Sequence, residues 1–290
     1  MGEDREPLAS ADRISAEWLS LREAADAAAR EPTRPEVAAL LAELRPTTVV
    51  DVGCGTGAGG RWLLPLLSGD PGWLLLDHDP DLLADTAERL AARGATGPVE
   101  TREADVADLG AALDGAAGHT LTIASALLDL LTPSQVQELV HTCIRRSAPL
   151  LVALTVTGRM TADPGHPEDG LVTEAFNRHQ RRGGRCGPDA VAVLTDAARG
   201  QGNPVRTWET PWRLGPDDAV LLRQLVEDRA AVAAEQLDAE GTAPADGAER
   251  ARRWRDDRLG QLAAGRLHLE IGHQDVLVGR AGLEPATKRL

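Results

Sequence analysis

The chain has 290 residues and carries 31 Lys and Arg against 45 Asp and Glu, a formal charge of −14. An acidic surface repels phosphate backbones, so nucleic acid is not the expected partner unless a local basic patch intervenes. Cys54, Cys143 and Cys186 are odd in number and lack C-x-x-C spacing, residues 1–13 hold no signal-peptide core, and no stretch is apolar enough to span a bilayer; these features point to a reduced, cytoplasmic protein without disulfides or membrane contact.

Within residues 10–30, Ile14, Trp18 and Leu21 recur at helical spacing, and Pro35 suits the first turn of a second helix running through Leu41 and Leu44. These helices make an N-terminal cap over residues 1–45. Residues 49–52 then read as a buried parallel strand, because the apolar run is short and continuous. Glycine occupies alternate positions at Gly53, Gly55, Gly57 and Gly59. A bare turn of this kind admits positive φ, lets a ligand lie against the backbone and aims the amides of the following helix at it. Gly53, Gly55 and Ala58 formally satisfy the dinucleotide pattern G-x-G-x-x-G/A, so a nicotinamide cofactor is one reading.

Residues 73–76 form a second buried strand ending in Asp77, His78 and Asp79. Asp77 lies twenty positions beyond Gly57, the spacing at which a carboxylate reaches a ribose. Asp79 precedes Pro80 and an apolar-periodic run, which makes it an N-cap. No further ligands support a metal at this triplet. Residues 98–103, 119–124 and 150–156 supply three more strands, with a helix opening at Thr132 and Pro133. The strand end at Ser125 to Asp129 falls where ligands collect in open parallel sheets. Residues 157–170 read as a turn-rich loop, a candidate substrate lid.

Residues 174–185 form the one basic island, with Arg178, His179, Arg181, Arg182 and Arg185. Arginines before glycine are ordinary helix-ending chemistry; equally, Arg178 could hold an anionic substrate group and His179 act as a base. A sixth strand is expected at 205–209, a rigid turn at 210–215, and a long helix over 216–240. A flexible break follows at 241–247, then a charged helix over 248–264. Residues 267–278 close the core as a final strand or hairpin, with a loose tail. Trp18 and Trp212 each fit either core packing or a substrate wall. The expected units are thus 1–45 (cap), 46–210 (α/β core), 211–265 (helical insertion or lid) and 266–290 (last strands and tail).

Asp51 two residues before Gly-Cys-Gly-Thr-Gly resembles motif I of the class I S-adenosylmethionine-dependent methyltransferases. The resemblance covers residues 46–156 well and implies a doubly wound, mostly parallel seven-stranded sheet whose last strand is antiparallel. It implies that Gly53, Cys54, Gly55 and Gly57 pass under the methionine part of S-adenosylmethionine and that Asp51 orients its amino end. By the same resemblance Asp105 receives the adenine amino group and the Val106 amide meets the ring; His78 and Ser125 join Asp77 as cofactor-binding candidates. Ser125 to Asp129 lack the Asn/Asp-Pro-Pro-Tyr/Phe and Pro-Cys signatures, which sets aside DNA amino and cytosine C5 methylation. The expectation is direct methyl transfer to a small molecule, with His179 and Asp129 as candidate bases. A nicotinamide oxidoreductase, a non-catalytic cofactor-binding subunit and an RNA methyltransferase remain as alternatives.

Overall fold

A computed structural model describes residues 15–116, 118–240 and 246–279. The expectations for the first residues, for most of the break at 241–247 and for the tail lie outside the described residues.

Among the described residues eight strands build one sheet: β1 (Thr48–Val52), β2 (Gly72–Asp77), β3 (Val99–Glu103), β4 (Thr120–Ser125), β5 (Leu150–Asp163), β6 (Val205–Glu209), β7 (Trp212–Leu214) and β8 (His268–Val278). Their order is β3-β2-β1-β4-β5-β8-β6, with β7 paired to β8 beside β6. Strands β1 to β5 are parallel, and β8 runs antiparallel to β5, β6 and β7. The doubly wound α/β sheet with a reversed last strand is as expected. The count among the described residues is eight rather than seven, because residues 212–214 form a short strand where a turn was expected; of the two readings for the last segment, 268–278 are one strand.

Among the described residues ten α-helices surround this sheet: α1 (Ala16–Arg30), α2 (Arg34–Leu44), α3 (Ala58–Leu63), α4 (Pro80–Ala92), α5 (Leu109–Gly115), α6 (Pro133–Arg145), α7 (Asp169–Gln180), α8 (Ala190–Gly200), α9 (Ala219–Glu240) and α10 (Gly247–Ala263). Adjacent strand residues divide between the two faces. Val50, Val52, Leu74 and Leu76 join Leu109, Leu139 and Leu194 of α5, α6 and α8. Val49, Trp73, Leu75 and Leu121 join Leu41, Leu63 and Leu90 of α2, α3 and α4. Burial on both faces explains why these strands read as continuous apolar runs. A third cluster joins α1, α7, α9 and α10 to Met160, Trp212, Leu269 and Ile271 at the far ends of β5, β7 and β8. It forms a helical cover beside the sheet.

Local chemistry sets the helix starts. Asp79 accepts from the Asp81 amide with Pro80 behind it, and Thr132 and Gln135 form a capping box ahead of α6.

The lid expectation for residues 157–170 does not hold in full. Residues 157–163 continue β5, paired with β8 from Val156↔His273 to Asp163↔His268 across the second of the strand's two register shifts. Gly158, with φ +72°, sits inside the second shift, and Asn177 Nδ2 donates to its carbonyl at 2.8 Å. Glycine in a bulge keeps a strand going where its sequence reads as a break.

Candidate active site

The turn after β1 is held by its own backbone. The Cys54 amide donates to Leu76 O at 3.0 Å and the Gly57 amide to Cys54 O at 2.7 Å. Gly53, Gly55 and Gly57 have φ of +61°, +53° and +79°. A Cβ at Gly57 would lie 2.6 Å from Thr86 Cγ2, and one at Gly53 2.9 Å from Leu127 Cδ1. Gly57 therefore requires glycine on two counts, conformation and space, and Gly53 on conformation.

Side chains from three elements fasten the turn. Asp77 at the end of β2 accepts from the Gly55 amide at 2.8 Å and from the Asp79 amide at 3.0 Å. Thr86 of α4 donates to Gly55 O and to Leu82 O. Arg61 of α3 donates to Thr56 O while its other nitrogens grip Glu23 of α1 at 2.6 and 3.0 Å. The cradle is thus tied to the helix above it.

A cavity of about 130 Å³ lies over the turn, lined among others by Leu19, Arg22 and Asp26 of α1, Gly53 to Thr56, Asp77, His78 and Ser125 to Leu127. A second, of about 340 Å³, shares Asp26, Ala58, Gly59 and Ser125 and runs on past Arg30, Arg34, Trp62 and Leu154. Ala126, just past β4, and Leu154, within the first register shift of β5, are non-glycine residues with φ of +51° and +56° that border these spaces. Strained backbone of this sort persists only where the surroundings over-determine it.

Beneath the turn Asp51 is 1% exposed, and neither carboxylate oxygen has a hydrogen-bond partner. Burial and the nearby Asp77 push its pKa up to about 8, against the pull of Arg30 and Arg61. An orphaned buried carboxyl beside a glycine cradle fits a cofactor that brings a cationic donor and lies on bare backbone.

The structure gathers Asp51, Gly53, Cys54, Gly55, Gly57, Asp77, His78 and Ser125 around this one turn. The Cys54 thiol is buried, and burial pushes its pKa up, so it serves as packing. His78 is exposed, 3.3 Å from Asp77 Oδ1. Asp105 and Val106 lie beyond β3. There Asp105 caps a short turn over Val106–Asp108, accepting from the Ala107 amide at 3.1 Å, with Asp108 returning the bond. Asp129 lies in the turn Leu128–Leu130, whose flanking Leu127 and Leu130 line the smaller cavity. Burial raises its pKa against the charges of Arg22 and Arg185.

The other candidates stand apart. Trp18 packs into the helical cover. Trp212 is 3% exposed, and its indole donates to Asp26 Oδ1 at 3.0 Å, so it backs the cavity wall without forming it. Arg178 is bound by Glu240 at 2.7 and 3.1 Å, Arg181 by Asp189, and Arg182 by Glu235. His179, on the same helix, lies 3.8 Å from Glu235, and neither cavity includes it. The basic island is largely neutralised by Asp189 nearby in sequence and by Glu235 and Glu240 of α9.

Sequence reasoning missed Thr86, Arg61, Leu19, Arg22 and Asp26. Thr86 had a signal, being a polar residue at an apolar position of the α4 stripe between Leu83 and Leu90. Arg22 and Asp26 are an i,i+4 ion pair on the inner face of α1, which the sequence alone does not distinguish from a surface pair.

A parallel sheet in this order, with a glycine turn after β1 and an acid ending β2, is the Rossmann-like fold that the resemblance implied. Residues 49–149 match the family model described as a methyltransferase domain. Among solved structures it is similar to the YcgJ protein of Bacillus subtilis at 12% identity (TM-score 0.48, 86% of this chain and 99% of that one). It is also similar to the cyclopropane synthase MmaA2 of Mycobacterium tuberculosis at 13% identity (TM-score 0.44, 84% and 83%). A mycolic acid cyclopropane synthase, CmaA1, complexed with SAH and CTAB, aligns at 11% identity (TM-score 0.43, 83% of each chain). No curated protein sequence matches. Among the described residues no helix is long and apolar enough to cross a membrane, and no cluster of His, Cys, Asp and Glu could hold a metal.

Proposed function

We propose that the protein methylates a small-molecule acceptor by direct in-line displacement. The observation that carries this reading is the position of α1 over the glycine turn, where Leu19, Arg22 and Asp26 narrow the space above the cradle. A roofed cleft suits a small acceptor better than a nucleic-acid chain. The tying of Arg178, Arg181 and Arg182 to acids leaves these three little free charge for a phosphate backbone.

S-adenosylmethionine, when bound, supplies an electrophilic methyl group on a sulfonium. The chain's own part is to orient, enclose and accept protons. Asp51 receives the amino end of the methionine, and Gly53, Gly55 and Gly57 offer bare backbone. Asp77, already fixed by two amides, keeps lone pairs for ribose hydroxyls. Asp105 and Val106 receive the adenine. Holding two reactants in line and excluding water supplies most of what such a transfer needs. A base is required only for a nucleophile protonated at neutral pH. Asp129, its pKa raised by burial, is the candidate, since it is nearer neutrality than a solvated carboxyl.

The test is a calorimetric titration with S-adenosylmethionine, followed by a metabolite-pool screen using labelled methyl donor. Wild-type protein binds and labels a small molecule; Asp77→Ala binds about ten- to a hundredfold more weakly, with labelling reduced in step. Binding without labelling of any pool, together with a stable complex with another protein, would point to a non-catalytic subunit instead.

A further inference from the structure

Half of the residues lining the larger cavity, of about 340 Å³, are charged, and every acid among them is already engaged. Arg61 grips Glu23 at 2.6 and 3.0 Å, Arg22 holds Asp26 at 3.0 Å, and Arg34 lies 3.3 Å from Glu31. The arginines of the same wall are not all used up. Arg93, at the end of α4, has no ion pair or side-chain hydrogen bond among the described residues. Arg30, the last residue of α1, spends only one of its three nitrogens.

Arg30 is clamped from two sides. Its Nε donates to Asp275 Oδ2 at 2.9 Å, and its guanidinium lies 3.7 Å from the centre of the Trp62 ring. Asp275 is itself fixed, accepting from the Leu154 amide and from the Thr210 hydroxyl, each at 2.9 Å. Nη1 and Nη2 of Arg30 have no hydrogen-bond partner among the described residues. They are not sealed from solvent, as the partnerless Nε of Arg258 is, and the space they open on is the cavity that Arg30 lines. A fork held at its base, with two donors facing open space, is preorganised for a planar anion. The cavity also communicates with the methyl-transfer cleft. Gly59 and Ser125 line both spaces, and a Cβ at Gly59 would lie 3.0 Å from Ser125 Cβ, so bare backbone keeps the passage wide.

We propose that the larger cavity is the acceptor site, that Arg30 receives a carboxylate of the acceptor, and that the acceptor is a monoanion with no cationic group. Its volume is that of a small-molecule pocket. Nη1 and Nη2 lie side by side in one plane and match the two oxygens of a carboxylate. With Arg22 and Asp275 counted beside the wall, five arginines face four carboxylates, so the surroundings balance one negative charge. A phosphate dianion exceeds that balance. An ammonium group meets no unengaged acid, which sets zwitterionic amino acids aside. The carboxylate, held by the fork, is not the atom methylated, so the product keeps its negative charge. The proposal rests on the methyl-transfer reading above and names its substrate class.

The test incubates the full chain with methyl-tritiated S-adenosylmethionine and a small-metabolite extract freed of protein and nucleic acid, then passes the products over an anion exchanger. The label is retained at about pH 8 and runs through at about pH 2, where a carboxyl is protonated and a phosphate or sulfate monoester still carries charge. Arg30→Gln lowers the labelling rate at limiting extract about tenfold or more, and Arg30→Lys, which keeps a charge beside Asp275 without the fork, lowers it less. Affinity for S-adenosylhomocysteine, measured by calorimetry, stays within about threefold of wild type in both variants. Label in the neutral fraction, label still retained in acid, or equal labelling by wild type and Arg30→Gln overturns the proposal. So does a loss of S-adenosylhomocysteine affinity that matches the loss of labelling while methylthioadenosine binds as before, because the fork then serves the cofactor's own carboxylate. No label in any fraction sinks the methyl-transfer reading itself, and this proposal with it. Arg30→Gln strands the buried Asp275, so the double variant Arg30→Gln/Asp275→Asn removes the pair together. It labels as poorly as Arg30→Gln; recovery of wild-type labelling would show the pair to be a structural strut and overturn the assignment.

Discussion

The cradle under β1 and the helical cover beside the sheet are built in opposite ways. The cradle is contiguous: strand, turn and helix follow within residues 48–63, and the groups that face the ligand are mostly backbone. The cover is assembled from α1, α7, α9 and β8, far apart in the chain, and its inward groups are side chains. Backbone-built sites depend on glycine and spacing, so they announce themselves in sequence. Side-chain-built sites depend on tertiary packing and stay hidden until the fold is known.

The largest effect should come from breaking the backbone site where it has no slack. Gly57→Val places a β-branched residue at φ +79° with its Cβ 2.6 Å from Thr86. Affinity for S-adenosylmethionine by calorimetry should fall about a hundredfold or more. Wild-type affinity would show that the turn does not touch the cofactor. Next comes Asp77→Ala, which removes the acceptor for the Gly55 and Asp79 amides as well as the proposed ribose contact. Kd should rise about ten- to a hundredfold, with a small drop in melting temperature.

Asp51 sharpens the contrast through pH. Its folded pKa of about 8 lies above the ordinary 3.8, so between these values the folded chain holds a proton that the unfolded chain releases. Stability from this group is therefore full below about pH 4, declines as pH rises and is gone above about pH 8. The slope is at most about 1.4 kcal/mol per pH unit. Asp51→Asn should flatten urea-denaturation stability of the ligand-free protein across that window. An unchanged pH profile would mean that the carboxyl is already ionised.

What was legible follows the same division. Val49 to Gly57, Asp77 and the Asp79 cap could be read directly, because each expresses a local rule of strand, turn or helix start. Residues 157–163 could not, since a bulge at Gly158 disguises a strand as a loop. Trp212 had two open readings, and only the bond to Asp26 decides for burial. Trp212→Phe keeps the ring and loses that bond, leaving the already desolvated Asp26 with Arg22 alone. Unfolding free energy should drop by about 1–3 kcal/mol, measured by denaturant titration, with cofactor affinity little changed.

The smallest expected effect tests the cover itself. His179 was attractive as a base from its residue type and its basic neighbours. Burial and the adjacent Arg182 pull its pKa down while Glu235 pulls it up, the balance being a lowered value. That environment is an exposed ion network at the end of α7, where Arg178 and Arg182 are answered by Glu240 and Glu235. Such pairs contribute little individually and leave the histidine without a route to the cleft. In His179→Gln the methyl-transfer rate, once an acceptor is in hand, should stay within about twofold of wild type at every pH from 6 to 9, because surface substitutions remote from the chemistry change little. A loss of about a hundredfold, with the pH dependence of a general base removed, would bring α7 into the reaction and erase the separation between the two regions.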